Sequence, residues 1–182
     1  MSDRIEIATA SVRTPLGRVW ILATEGGLCE TRLGNRAGPS GREARARGVK
    51  YVRRGRWTDQ ARRALADYFA GRESPLDLKL EFREGTPFER SVWEAARRVP
   101  YGSVSSYGAL AARIGTPGAS RAVGNALGKN PIPIVVPCHR VIHGDRSIGG
   151  FSSGLAWKRF LLKLEQGQLE LKWAKGMRRR GA

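Results

Sequence analysis

The chain has 182 residues, enough for one medium domain or two small ones, and 41% are hydrophobic, as in a globular protein. Its 33 Lys and Arg outweigh 16 Asp and Glu, a formal +17 that favours a polyanion, nucleic acid first, with a merely solubilising charge as the blander reading. No apolar run approaches the ~20 residues of a membrane span, "MSDRIEIATA" carries no secretory signal, and two cysteines are too few for a disulfide scaffold, so a cytoplasmic location without membrane contact is expected.

The first elements read as β. "IEIATASV" (5–12) and "GRVWILAT" (17–24) partly alternate, with turns at "RTPLG" and "EGG" and a third strand in "LCETRLG". Cys29 in that strand reads as a buried core thiol. Residues 36–56, rich in Gly and Arg, read as a long, basic, partly mobile loop. "TDQARRALADYFAG" is a helix with Thr58 as a possible N-cap and Gly71 past its end. "LDLKLEF" (76–82) alternates cleanly and predicts one more strand.

A second region opens at "GTPFERSVWEAARRVP". Thr86 as N-cap, Pro87 at the first helical position and Glu89 at N3 make a capping box, and Val92, Ala96 and Val99 form the apolar face. From Pro100 the elements read as helical to about Gly167, a C′ candidate, and the basic tail beyond reads as frayed. The expected fold class is α+β: a small N-terminal antiparallel sheet with a helix over 1–85, then a mostly helical domain with a helix-turn-helix over 86–182.

"SYGALAARIGTPGASRAVGNALGKNP" holds two short helices around "GTPGA". Tyr107, Leu110, Ala111 and Ile114 share a face in the first; Ala119, Val123 and Ala126 share one in the second. The pattern fits a helix-turn-helix, and equally a plain packing unit. The opposite face of the second helix presents Arg121, Gly124, Asn125 and Gly128. A major-groove reader projects several long side chains to base edges; this face is almost bare. It suits close backbone approach to the minor groove, about 6 Å wide and poor in sequence information. Arg121 is its one protruding group, either a wedge that fills the space of an everted base or an ordinary surface charge.

"PIPIVVPCHRVIHG" sets Cys138 beside His139. An ordinary thiol, with a pKa of ~8.5, is mostly protonated at neutral pH, so a nucleophile needs a base. Adjacent side chains usually diverge, so a bridging water would carry the proton from thiol to imidazole. The imidazole then wants an acid on its other nitrogen to fix the tautomer. Glu165 borders the apolar stripe Trp157, Phe160, Leu161 and Leu164 and is a candidate; a solvated helix-end glutamate is the alternative. Two Cys and two His could just supply four zinc ligands, but Cys29 is remote and no C-x-x-C pair exists; neither metal nor cofactor is expected.

"PCHRV", with its flanks "GSVSSYGALAARIGTPGASRAVGNALGKNPIPIV" and "GGFSSGLAWKRFLLKLE", resembles the O6-alkylguanine-DNA alkyltransferase family over about residues 86–167. The N-terminal half resembles it only in general plan, a sheet with a helix of ribonuclease H-like type. This resemblance implies DNA repair by irreversible, single-turnover transfer of an alkyl group from O6-alkylguanine, less so O4-alkylthymine, to Cys138. His139, a water and Glu165 would form the relay. Tyr107 would donate a proton to the departing guanine, and Arg121 would replace the flipped nucleotide. Asn130 would brace the active-site strand against the recognition helix, and Val141, Ser152 and Lys158 would line the guanine pocket. Thr116, Ser120, Ala122, Gly124, Asn125 and Lys129 would join Arg121 on the duplex. The partner implied is double-stranded DNA carrying alkylated guanine, bound by a monomer; whether copies bind cooperatively stays open. Ser153 stands where the family often has glycine, which would narrow the range of bulky alkyl groups. No cysteine-rich extra domain precedes the fold, so a methylation-triggered transcription factor is not expected.

Other classes read less well. Alkyltransferase-like damage sensors lack the cysteine that is present here. The bare recognition face disfavours a helix-turn-helix regulator with an inert thiol. A cysteine hydrolase usually draws its His from a remote segment, and His143, the only other histidine, reads as a loop residue.

Overall fold

In the computed structural model, which describes residues 4–34, 38–72 and 76–168, the chain is mixed α+β and divides into two compact units, one ending at Glu81 and the next starting at Phe82. In the first, β1 (Ile5–Thr14), β2 (Gly17–Ala23) and β3 (Leu28–Arg32) form the antiparallel meander that alternation predicts, with a register shift between Leu22 and Ala23. Side chains alternate between faces along a strand. Ile7, Leu22 and Cys29 therefore pack with Ala44 and Val49 on one side. Val12, Val19, Ile21 and Ala23, all buried, share the other. Cys29 is buried, with its sulfur 3.4 Å from the Leu22 carbonyl.

Residues 36–56 are not the loop their composition suggests. They contain α1 (Gly41–Ala46) and β4 (Val49–Arg53), and β4 pairs in parallel with β1 to give the order β3-β2-β1-β4. α1 is tied down by charge. Arg32 takes Glu43 in a two-pronged pair at 2.5 and 2.9 Å and Glu30 at 2.5 Å; Arg47 bonds Glu30, Glu43 and Tyr51.

The next helix, α2 (Arg56–Phe69), starts earlier than predicted. Its N-cap is Gly55, and Thr58 sits at N3, its hydroxyl accepting from the Gly55 amide at 2.9 Å. α2 packs on β1 and β2 through Ala61, Leu65, Tyr68 and Phe69. Residues 76–82 are not a sheet strand either: they meet β3 at one parallel bridge, Leu28–Leu80, bonded through Lys79 and Glu81.

In the second unit α3 (Pro87–Arg97) has the capping box as read. Thr86 Oγ1 accepts from the Glu89 amide at 3.2 Å, and Glu89 Oε2 from the Thr86 amide at 2.8 Å. α3 packs on α4 (Tyr107–Arg113) and α5 (Ser120–Gly128), and the buried Trp93 indole donates to the Ala126 carbonyl at 2.8 Å. The rest is not wholly helical. β5 (Ser105–Ser106) pairs in parallel with β6 (Val141–Ile142), and residues Cys138–Arg140 make a 3₁₀ turn rather than a strand. α6 (Leu155–Glu165) ends with Gly167 just past its cap. The tail beyond residue 168 lies outside the described residues. Among those described, no helix is long and apolar enough to cross a membrane.

Candidate active site

The 3₁₀ turn settles how neighbours can differ in direction. Cys138 Sγ accepts from Asn130 Nδ2 at 3.1 Å, while His139 Nε2 meets Glu165 Oε1 at 2.8 Å. The two side chains join different partners. Asn130 follows α5 directly; its amide also donates to the Val136 carbonyl at 2.9 Å, and its Oδ1 accepts from the Ile132 amide at 2.9 Å. One side chain so holds the sulfur and the loop that leads to it, while the Asn130 backbone amide donates to Leu127 of α5 at 3.2 Å.

Glu165 is buried, as the edge of an apolar stripe predicts, and it has the cation that burial demands. Arg140 Nε and Nη2 both lie 2.9 Å from its oxygens, Nη1 donates to the Val99 carbonyl at 2.7 Å, and the Gly102 amide donates to Oε2 at 3.1 Å. Sequence reasoning missed Arg140, although it stands inside "PCHRV" and a buried carboxylate asks for such a partner. Burial pushes the Glu165 carboxyl up, but the bonds and charge of its His139 and Arg140 neighbours outweigh it and hold it at about 2. Burial lowers His139, which is neutral at rest. Burial also raises the Cys138 thiol, to about 11, against the Asn130 hydrogen bond and the nearby Lys158 ammonium. A neutral thiol and a neutral imidazole are therefore the resting pair.

A cavity of about 500 Å³ opens onto the sulfur, between α5 and the loop before α6. Its wall includes Tyr107, Ser120, Arg121, Gly124, Asn125 and Ser152 among the predicted residues, and also His143 and Phe151. His143 is no bystander: its ring centroid lies 5.1 Å from that of Tyr107. Gly149, at φ +67°, lies against the same two rings, where a Cβ would come within 2.7 Å of the Tyr107 hydroxyl. Gly124 faces the same ring, so the bare helix face makes room for Tyr107. Burial raises the Tyr107 phenol.

Other predicted residues lie off the cavity wall. Lys158 is fully buried, donating to the Val141 carbonyl at 2.6 Å and to Gly150 at 3.1 Å, so Val141 and Lys158 brace each other behind it. Burial lowers Lys158 to about 8. Thr116 closes α4 on the Ala111 carbonyl, Ala122 is exposed on α5, and the Lys129 ammonium pairs with Glu89 at 2.6 Å.

A family model described as the DNA binding domain of 6-O-methylguanine DNA methyltransferase matches residues 87–167, and one described as its ribonuclease-like domain matches residues 7–82. The chain belongs to the 6-O-methylguanine DNA methyltransferase family. Relatives include a methylated-DNA–protein-cysteine methyltransferase of Methanosarcina acetivorans, 53% identical over 106 residues that cover 58% of this chain and 67% of the relative. One from Mycolicibacterium paratuberculosis is 47% identical over 116 residues, covering 60% and 70%. Among solved members of the 6-O-methylguanine DNA methyltransferase family, Mycobacterium tuberculosis OGT in complex with DNA is 34% identical. It matches over 93% of this chain and 98% of that one, with a TM-score of 0.75. The O6-methylguanine-DNA methyltransferase of Pyrococcus kodakaraensis is 32% identical over 87% and 98%, with a TM-score of 0.64.

Proposed function

We propose that this chain repairs O6-alkylguanine in double-stranded DNA by moving the alkyl group onto Cys138, each molecule acting once. Direct reversal by a methylated-DNA–protein-cysteine methyltransferase is the activity of the family; the residue roles are our reading. The observation that carries it is the Asn130–Cys138 and His139–Glu165–Arg140 pair of networks at the base of the cavity. Glu165 accepts a hydrogen bond from Nε2–H and stays ionised, which leaves Nδ1 as the acceptor on the thiol side. The thiol proton passes to Nδ1 through a water as the sulfur attacks the alkyl carbon. The S–C bond forms as the C–O6 bond breaks, the carbonyl of guanine returns, and the ring gains its proton from Tyr107. The Asn130 amide and the Lys158 ammonium favour the developing thiolate. The product thioether is a poor leaving group, so the sulfur is not regenerated.

A base inside a stacked duplex cannot bring its O6 substituent to a buried sulfur, so the nucleotide turns outward. α4 and α5 act as the helix-turn-helix, and Arg121, exposed at the cavity rim, fills the vacated stack. Ser120, Gly124 and Asn125 face the duplex, with Thr116, Ala122 and Lys129 on its backbone. O4-alkylthymine is a poorer substrate of the same pocket.

The test mixes the protein with duplex carrying O6-methylguanine and maps the modified peptide by mass. One methyl per chain on the Cys138 peptide is expected. Restored guanine beside unmodified protein would mean turnover and would overturn the reading, as would repair by Cys138→Ser.

A further inference from the structure

The backbone brings Tyr107 and His143 together. β5 and β6 run parallel, with Ser105 opposite Val141 and Ser106 opposite Ile142. Tyr107 and His143 are the next residues on the two chains, so their side chains start side by side. Their ring centroids lie 5.1 Å apart at 52°, a separation usual for interacting aromatic rings.

The loop that carries His143 is closed on itself. The His143 amide donates to the Ser147 carbonyl at 2.9 Å, and the Arg146 amide donates to the His143 carbonyl at 3.0 Å. Asp145 Oδ1 accepts from the Ser147 amide at 2.9 Å and its hydroxyl at 2.7 Å. Buried Lys158 holds the far end of the loop through the Gly150 carbonyl at 3.1 Å. The imidazole thus stands on a fixed base, in the wall of the cavity over Cys138.

Tyr107 depends on such packing. Among the described residues its hydroxyl makes no hydrogen bond to another residue, and His143 supplies its one aromatic contact. Gly124 and Gly149 border the phenol but only leave it room: a Cβ at Gly124 would lie 3.7 Å from Cε1, and one at Gly149 would come within 3.1 Å of Cε2 and 3.3 Å of His143 Cδ2. The Lys158 ammonium lies 5.8 Å from the ring centroid.

We propose that His143 is a positioning residue for the reaction: its ring, packed against Tyr107, holds the phenol where it can return a proton to the departing guanine. This rests on the reading of Tyr107 as the proton donor. His143 acts through that residue alone, and the imidazole itself transfers no proton. Another planar ring should therefore serve in its place.

Methyl transfer from duplex carrying O6-methylguanine, timed at saturating duplex, tests this. His143→Ala should slow the step on the order of three- to tenfold, the range that an aromatic pair contributes. Affinity for undamaged duplex should stay at the wild-type value, which shows that the variant folds. His143→Phe should restore most of the rate. Tyr107→Phe should slow transfer by itself, and adding His143→Ala to it should cost nothing further, because the two act as one unit. A wild-type rate for His143→Ala overturns the proposal. So does a loss carried by weaker duplex binding, a His143→Phe rate as low as that of His143→Ala, or a further loss on the Tyr107→Phe background. Wild-type transfer by Tyr107→Phe would instead sink the donor role, and the proposal with it.

Discussion

With both oxygens of Glu165 engaged by Arg140, His139 and the Gly102 amide, the imidazole at rest has its tautomer fixed and little counter-charge to spare for a second proton. On the proposed relay, the base is then neutral until the thiol proton arrives. Replacing Glu165 by Gln leaves a buried guanidinium opposite an amide, and should cost about 3–5 kcal/mol of stability and slow alkyl transfer by about a hundredfold or more. The acid limb follows from the same pair. A carboxyl held at about 2 contributes stability that is complete above its ordinary value near 4.5 and is lost as the pH falls toward 2. His139, lowered by burial, adds a loss that begins below about 6.5, because the unfolded chain then binds a proton that the folded one refuses. Both losses run toward acid. Urea midpoints at pH 7, 5 and 3 should fall in that order for the wild type, and should fall less steeply below pH 5 for Glu165→Gln.

α5 carries the contrast between what sequence periodicity reveals and what it hides. Val123, Ala126 and Leu127 are buried and Arg121 and Asn125 exposed, as a 3.6-residue period requires. That Gly124 faces Tyr107 is invisible to periodicity, since it depends on a ring from another helix. The cap of α3 was legible because Thr86, Pro87 and Glu89 act within one turn. α1 and β4 were not: α1 has only six residues, and β4 is stabilised by parallel pairing with β1, more than forty residues earlier in the chain. Alternation in residues 76–82 misled for the converse reason, since a strand needs a partner edge and only Leu80 finds one. Arg121→Ala leaves the α5 core intact. It should slow repair in duplex by about tenfold, a fraction of the cost of everting a base, and leave reaction with the free base nearly unchanged; equal losses on both substrates would argue against the finger.

At the scale of the molecule, +17 spread over 182 residues makes association with DNA strongly dependent on ionic strength. Raising salt from 50 to 200 mM should weaken duplex binding by orders of magnitude while leaving transfer from free base unaffected, which separates encounter from chemistry. The buried sulfur adds a second property. Burial raises its thiol and so lowers its thiolate fraction at pH 7 below that of an unfolded cysteine, so iodoacetamide should label Cys138 more slowly in the native protein than in urea. A protein that works once is ruined by any stray oxidant or electrophile that reaches its sulfur first. Keeping that atom protonated at the base of its cavity gives each copy a long shelf life, and lets an idle population stay intact until a lesion arrives.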